Sequence, residues 1–269
     1  MTDAELELLI AIAAEAATAV LQVYETPFRV DYKGPLDPVT EADRNANDLI
    51  CGRLAEHFPG TAIVAEESAP ESFADFREFE RVFFVDPVDG TNEFVQRNGE
   101  FVVMIGLVEG DRAVGAVVHA PVTGLVWAAR VGGAAFRLDP SGARSPLLVS
   151  DTATLEQARL VASRSHRTAQ LERTLDALSA REVNAQGSAG LKGARVAEGS
   201  ADAYVAPKYA GKRWDVCPTD VLVRAAGGRV TDAAGRPLDY RAPGIAADAG
   251  LVASNGLLHD VILERLATL

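Results

Sequence analysis

The densest chemistry in the chain is the run Asp86-Pro87-Val88-Asp89-Gly90-Thr91, which directly follows the apolar stretch Val82-Phe83-Phe84-Val85. Two aspartates three residues apart on a turn at the mouth of a sheet can converge on one point. Pro87 fixes φ and removes a donor, and Gly90 lets the backbone approach a ligand closely. Thr91 then opens a segment whose free N–H groups could face a phosphate, as helix N-termini do. The same residues also make an ordinary strand-to-turn connection. Further carboxylates stand at similar places. Glu66-Glu67 ends an earlier apolar run, and adjacent carboxylates at a buried strand end repel unless a cation or hydrogen bonds compensate; solvated charge at a loop start is the other reading. Asp215, in Trp214-Asp215-Val216, precedes an apolar helical stretch and could simply cap it. Asp43, in Thr40-x-x-Asp43, could likewise only fasten a helix start. Together these residues offer hard oxygen ligands on short turns, with no His or Cys beside them, a set that suits Mg²⁺ rather than zinc or copper.

The elements that must position these groups follow from periodicity. Thr2 and Glu5 form a capping box, and Leu6, Leu9, Ala13, Ala17, Val20 and Tyr24 recur at helical steps, so a first amphipathic helix of about six turns is predicted. Residues 31–39, with Gly34, Pro35 and Pro38, read as a loop. A second helix begins at Thr40, carries Asp43, Ala46, Leu49, Ile50 and Leu54, and stops at Phe58-Pro59-Gly60. Residues 61–65 and 81–85 read as buried strands with carboxylates at their C-terminal ends. Residues 101–109, 112–119 and 125–130 look like an antiparallel meander. Beyond residues 142–146, the expected boundary between halves, strands at 159–162, 182–185, 203–206, 229–231 and 251–253 alternate with helices at 167–180, 189–198, 215–226 and 257–267. The pattern predicts a layered α/β protein with two closely packed halves, 1–145 and 146–269.

At 269 residues, with 48% hydrophobic and 24% charged residues, the composition is that of a globular protein. A net charge of −12 repels polyphosphate backbones, so no nucleic-acid partner is expected, although a cation cluster can still invert the local field for a small anion. Cys51 and Cys217 give neither a disulfide framework nor a zinc spacing. Residues 1–9 are acidic where a secretory signal is basic, and Glu7 and Glu15 interrupt the longest apolar stretch. A cytoplasmic chain without a membrane span is therefore expected.

Read together, Val39-Thr40-Glu41-Ala42-Asp43, Ala65-Glu66-Glu67-Ser68, Asp86-Pro87-Val88-Asp89-Gly90-Thr91 and Trp214-Asp215 resemble, in content and order, the inositol monophosphatase superfamily. Within it the chain is similar to the 3′(2′),5′-bisphosphate nucleotidases, including their bacterial CysQ-type members. Asn92-Glu93-Phe94 with Arg97-Asn98-Gly99-Glu100-Phe101, Ser163-Arg164-Ser165-His166, Ser188-Ala189-Gly190-Leu191-Lys192 and Lys212-Arg213-Trp214-Asp215-Val216-Cys217-Pro218 carry that likeness. Ser188 stands where Gly is common, Thr219-Asp220 replaces small residues, and an arginine that some members place after the Tyr204 strand is missing, with Ala206 there.

The resemblance implies an αβαβα sugar-phosphatase-type fold and a lithium-sensitive phosphatase that often forms homodimers. Glu66, Asp86, the Val88 carbonyl, Asp89 and Asp215 would hold two to three Mg²⁺ ions. Asp43 and Thr91 would orient or deprotonate the attacking water, and the Gly90 and Thr91 amides would hold the phosphoryl oxygens. His166, Ser188 and Lys192 would grip a nucleotide bisphosphate, the expected small-molecule partner; a lone His after a strand and a Lys on a helix are otherwise commonly surface residues. An inositol or other sugar phosphate is the alternative substrate, and a non-catalytic metal or phosphate binder is a third reading. No Gly-rich loop ending in Gly-Lys-Ser/Thr points to a kinase.

Overall fold

The computed structural model describes residues 1–34 and 37–269. In chain order the regular elements are α1 (Asp3–Tyr24), β1 (Val30–Gly34), β2 (Asp37–Thr40), α2 (Glu41–His57), β3 (Ala62–Ala65), β4 (Arg81–Asp89), α3 (Thr91–Val95), β5 (Val102–Glu109), β6 (Arg112–Ala120), β7 (Leu125–Arg130), β8 (Ala135–Leu138) and β9 (Arg144–Pro146). They continue with β10 (Arg159–Ser163), α4 (Ala169–Leu178), β11 (Glu182–Gln186), α5 (Ala189–Ala197), β12 (Ala203–Ala206), α6 (Arg213–Ala225), β13 (Arg229–Thr231), β14 (Leu251–Ser254) and α7 (His259–Leu266).

Side-chain alternation along the strands sorts these elements into five layers. β3 to β9 form a seven-stranded sheet in chain order, antiparallel except for the β3–β4 pair. Phe83, Val85, Val103, Ile105 and Leu107 face one side and pack with Leu6, Leu9, Ala13, Ala17 and Val20 of α1 and Ala46, Ile50 and Leu54 of α2. Val82, Phe84, Val102 and Met104 face the other side, where Ala194 and Val196 of α5 and Trp214, Val216 and Val221 of α6 cover them. The same middle layer receives Val161 of β10 and Tyr204 of β12 from a five-stranded sheet of order β11-β10-β12-β14-β13. The outer face of that sheet, with Leu160, Ala162, Val205 and Val252, buries Leu171 and Leu175 of α4 and Ile262 of α7. Helices and sheets therefore alternate as αβαβα.

The first helix starts where its capping box puts it, with Thr2 N–H donating to Glu5 Oε2 at 2.6 Å and Glu5 N–H to Thr2 Oγ1 at 3.2 Å. It is the helix among the described residues that is long and apolar enough to cross a membrane, and its apolar face is spent on the seven-stranded sheet. α6 lies close on β5 because Gly106 has no side chain; a Cβ there would come within 2.6 Å of Cys217 Sγ. The seven-stranded sheet ends at Pro146 and the next strand begins at Arg159.

Residues 31–34 and 37–39 depart from the expected loop. β1 and β2 form a two-stranded antiparallel ribbon with Tyr32 opposite Pro38. A ribbon has no second neighbour to demand the missing proline N–H, so Pro38 is tolerated there; Pro35 lies outside the described residues. β8 and β9 were also unanticipated, since each is too short to show a period. The helix expected from Asp215 begins two residues earlier, at Arg213.

His259, wholly buried at the start of α7, joins β13 and β14: Nδ1 lies 2.9 Å from Ser254 Oγ and Nε2 3.0 Å from Thr231 Oγ1. Burial, with help from Arg229, pushes its imidazole from 6.5 down to about 4. A folded-state value below the unfolded one gives stability that is complete above pH 6.5 and lost as pH falls towards 4. Urea midpoints should therefore decline over that window less steeply in His259→Asn than in the unsubstituted chain; equal slopes would contradict the assignment.

Candidate active site

A regular strand sends residues three apart to opposite faces. Between Asp86 and Asp89 the β4 register is irregular: Asp86 pairs with Met104 and Asp89 with Val102, so two residues on β4 oppose one on β5. This bulge, where Pro87 withholds an N–H, turns both aspartates the same way. Asp215 in the first turn of α6 meets them from the other half of the chain, and one oxygen from each of the three lies within 4.8 Å of the others.

Each of these carboxylates has one oxygen tied down by a main-chain donor. Val88 N–H donates to Asp86 Oδ1 at 3.0 Å, Gly190 N–H to Asp89 Oδ2 at 2.7 Å, and Lys212 N–H to Asp215 Oδ2 at 2.5 Å. Among the described residues no N–H or O–H donor is bonded to the second oxygen of any of the three. Asp215 is thus the third residue of its helix, bonded back to Lys212, and not the N-cap suggested by its place in the sequence. Burial, then the charges of Glu66, Asp89, Asp215 and Asp43, push the Asp86 carboxyl far above its usual range. Burial, then Asp89 and Glu66, do the same to Asp215. Buried like charges in this arrangement call for a cation, and an all-oxygen donor set on fixed turns fits a hard divalent ion.

Glu66 follows β3 and carries a cation of the protein's own. Lys33 on the ribbon donates to Glu66 Oε1 at 3.1 Å and to Glu67 Oε1 at 2.6 Å. Burial raises the Glu66 carboxyl, against the pull of Lys33. Nothing in the sequence marked Lys33, because the contact joins residues more than 30 apart through a ribbon that prolines disguise.

Asp43 is both a cap and a neighbour of the cluster. Its Oδ2 accepts from Thr40 N–H at 2.8 Å and Thr40 Oγ1 at 2.7 Å, completing the capping box, while Oδ1 lies 3.1 Å from Thr91 Oγ1. Thr91 Oγ1 is also 3.1 Å from the Val88 carbonyl. Burial raises the Asp43 carboxyl. Gly90 makes the turn into α3 at φ +100°, and a Cβ there would come within 2.9 Å of the Glu100 carbonyl. The first amides of α3, at Thr91, Asn92 and Glu93, have no partner inside the helix by construction.

The residues first assigned to a nucleotide separate. Ser188 caps α5 and its Oγ donates to Asp89 Oδ2 at 2.5 Å. Lys192 is 4% exposed, so it is not the solvated charge that a helical lysine usually makes. Its Nζ donates to the Ser188 carbonyl at 2.7 Å and lies 5.1 Å from the centre of the Tyr204 ring. His166 is exposed on the β10–α4 connection, its backbone N–H donating to Ser163 Oγ at 3.0 Å. The neighbouring residues tie distant segments together: Arg164 pairs with Glu100 through bonds of 3.0 and 2.6 Å, Gly187 N–H donates to Glu100 at 2.7 Å, and Ser165 Oγ to Glu93 at 2.5 Å. Glu93 and Glu100 acquire these partners only through tertiary contact.

Comparison with known proteins bears on what this cluster does. The sequence profile of the inositol monophosphatase family matches residues 2–268. The 3′(2′),5′-bisphosphate nucleotidase CysQ of Escherichia coli K12 is 35% identical over 232 residues, covering 85% of this chain and 91% of that protein. Among solved structures, the Thermotoga maritima IMPase superposes with a TM-score of 0.83 at 27% identity, covering 98% of this chain and 97% of the other. CysQ from Bacteroides thetaiotaomicron, a bacterial member of the inositol monophosphatase family, gives 0.79 at 29% identity, with 94% and 97% covered. With the family match running nearly from end to end, the chain belongs to the inositol monophosphatase family and is a phosphatase.

Proposed function

We propose that this phosphatase is a Mg²⁺-dependent 3′(2′),5′-bisphosphate nucleotidase that converts adenosine 3′,5′-bisphosphate to AMP and phosphate. The observation that carries the substrate class is the 35% identity to a bisphosphate nucleotidase across 85% of the chain. The convergence of Asp86, Asp89 and Asp215 supports the chemistry. Asp86, Asp89, Asp215, the Val88 carbonyl and Glu66 would hold two to three Mg²⁺ ions, with Lys33 yielding Glu66 to the metal. Bound there, Mg²⁺ supplies Lewis-acid activation of water and charge stabilisation of the departing ester oxygen.

The remaining work falls to the chain's own groups. Thr91 Oγ1 can take the proton of the attacking water while passing its own to Asp43 Oδ1, 3.1 Å away, and a carboxyl raised by burial is suited to receive it. The amides at Gly90 and Thr91 would receive the phosphoryl oxygens. Exposed His166 would meet the nucleotide. The 1–145 and 146–269 halves each supply part of this site, and the reading places the enzyme in the cytoplasm, lithium-sensitive and capable of forming a homodimer.

A second reading keeps the metals and changes the substrate to an inositol monophosphate, favoured by the overlap with the Thermotoga IMPase. Phosphate release with Mg²⁺, with and without lithium, separates the two when adenosine 3′,5′-bisphosphate, its 3′-phosphosulfate analogue, inositol 1-phosphate and fructose 1,6-bisphosphate are compared. The account expects kcat/KM for the adenosine compounds to exceed the others by about a hundredfold, some 2.7 kcal/mol of discrimination. A preference for inositol 1-phosphate would instead establish the second reading. Asp89→Asn should fold normally yet lose on the order of a hundredfold or more in kcat, and retained turnover would remove Asp89 from the metal site.

A further inference from the structure

The turn before α5 holds a strained residue in contact with the carboxylate cluster. Ser188 adopts φ +62° and ψ 130°, a region that residues with a Cβ avoid. Something must hold it there. Its hydroxyl gives its one proton to Asp89 Oδ2 at 2.5 Å and accepts from Leu191 N–H at 3.0 Å. Its carbonyl receives the Lys192 ammonium at 2.7 Å.

The turn is wedged on both sides. A Cβ on Gly187 would collide with the Glu93 side chain, and one on Gly190 would come within 2.5 Å of Met104 Sδ. From this fixed position the turn sends Asp89 Oδ2 its two donors, Ser188 Oγ and Gly190 N–H. Lys192 itself is shut away from solvent, with Tyr204 beneath it. Burial pulls the Lys192 ammonium below its usual range, and the charges of Asp89, Asp215, Glu93 and Glu100 oppose that pull.

We propose that Ser188 and Lys192 are positioning residues, a brace that fixes the orientation of Asp89 for metal. The proposal rests on the metal reading of the Asp86–Asp89–Asp215 cluster. Lys192 holds the Ser188 carbonyl, the strained Ser188 presents its hydroxyl, and Asp89 is left with Oδ1 for the ion. Groups that orient a ligand in this way typically change metal affinity by about 10–100-fold when removed.

The test is calorimetric titration of Mg²⁺ alone into the metal-free, full-length protein, with no nucleotide present. Lys192→Met and Ser188→Ala should each weaken Mg²⁺ binding by about tenfold or more, with circular dichroism showing a folded chain. If Lys192→Met fails to fold, Ser188→Ala carries the test, because it removes only one oxygen. Unchanged Mg²⁺ affinity in a folded variant, with weakened binding of AMP, would overturn the brace and return these residues to the substrate. Absence of Mg²⁺ binding in the unsubstituted protein would overturn both the brace and the metal reading.

Discussion

Buried carboxylates repel one another, and that repulsion grows as water is excluded. This protein nevertheless assembles Asp86, Asp89 and Asp215 with oxygens inside 4.8 Å, two of them under a tenth exposed. Much of the local architecture answers that constraint. One oxygen of each carboxylate is spent on a backbone N–H, so each group is aimed as well as crowded. Lys33 and Lys192 bring positive charge to Glu66 and to the Ser188 turn. What remains is a cluster of three carboxylates, a donor set that fits a hard divalent ion.

The layered fold is what lets distant segments meet there. β4 delivers Asp86 and Asp89 through its bulge, and α6 delivers Asp215 by lying close on β5 over Gly106. Since α5 and α6 come after the seven-stranded sheet in the chain but cover one of its faces, the cluster draws on segments far apart in sequence. The departures from the family pattern support the same packing. Thr219 is fully buried against Gly193, where a Cβ would strike it. Asp220 pairs with Arg224 at 2.8 Å and accepts from Tyr240 at 3.0 Å. Neither reaches the carboxylate cluster through these bonds.

Much of this was legible because the relevant signals are local. The capping boxes at Thr2 and Thr40, the apolar run before Asp86 and the helix–strand alternation after residue 159 each lie within a few residues of one another. The Asp86–Asp89 spacing showed that the two could converge, but the bulge that makes them do so is a property of pairing with β5. The ribbon carrying Lys33 was hidden by glycine and prolines, whose local preference for turns was overruled by pairing across a two-stranded edge. The burial of Lys192 was equally out of reach. A lysine on a helix reads as solvated until Tyr204 and the acidic cluster, brought from elsewhere in the chain, are seen around it.

The central claim is that the cleft between Asp86, Asp89 and Asp215 binds a divalent cation. The most direct test is anomalous scattering from crystals of this protein equilibrated with Mn²⁺ as a detectable substitute for Mg²⁺. The account predicts a strong peak within coordination distance of oxygens from all three aspartates, with Glu66 drawn from Lys33 towards the metal. Saturating Mn²⁺ that leaves this cleft without a peak, or that places its peaks elsewhere on the surface, would contradict it.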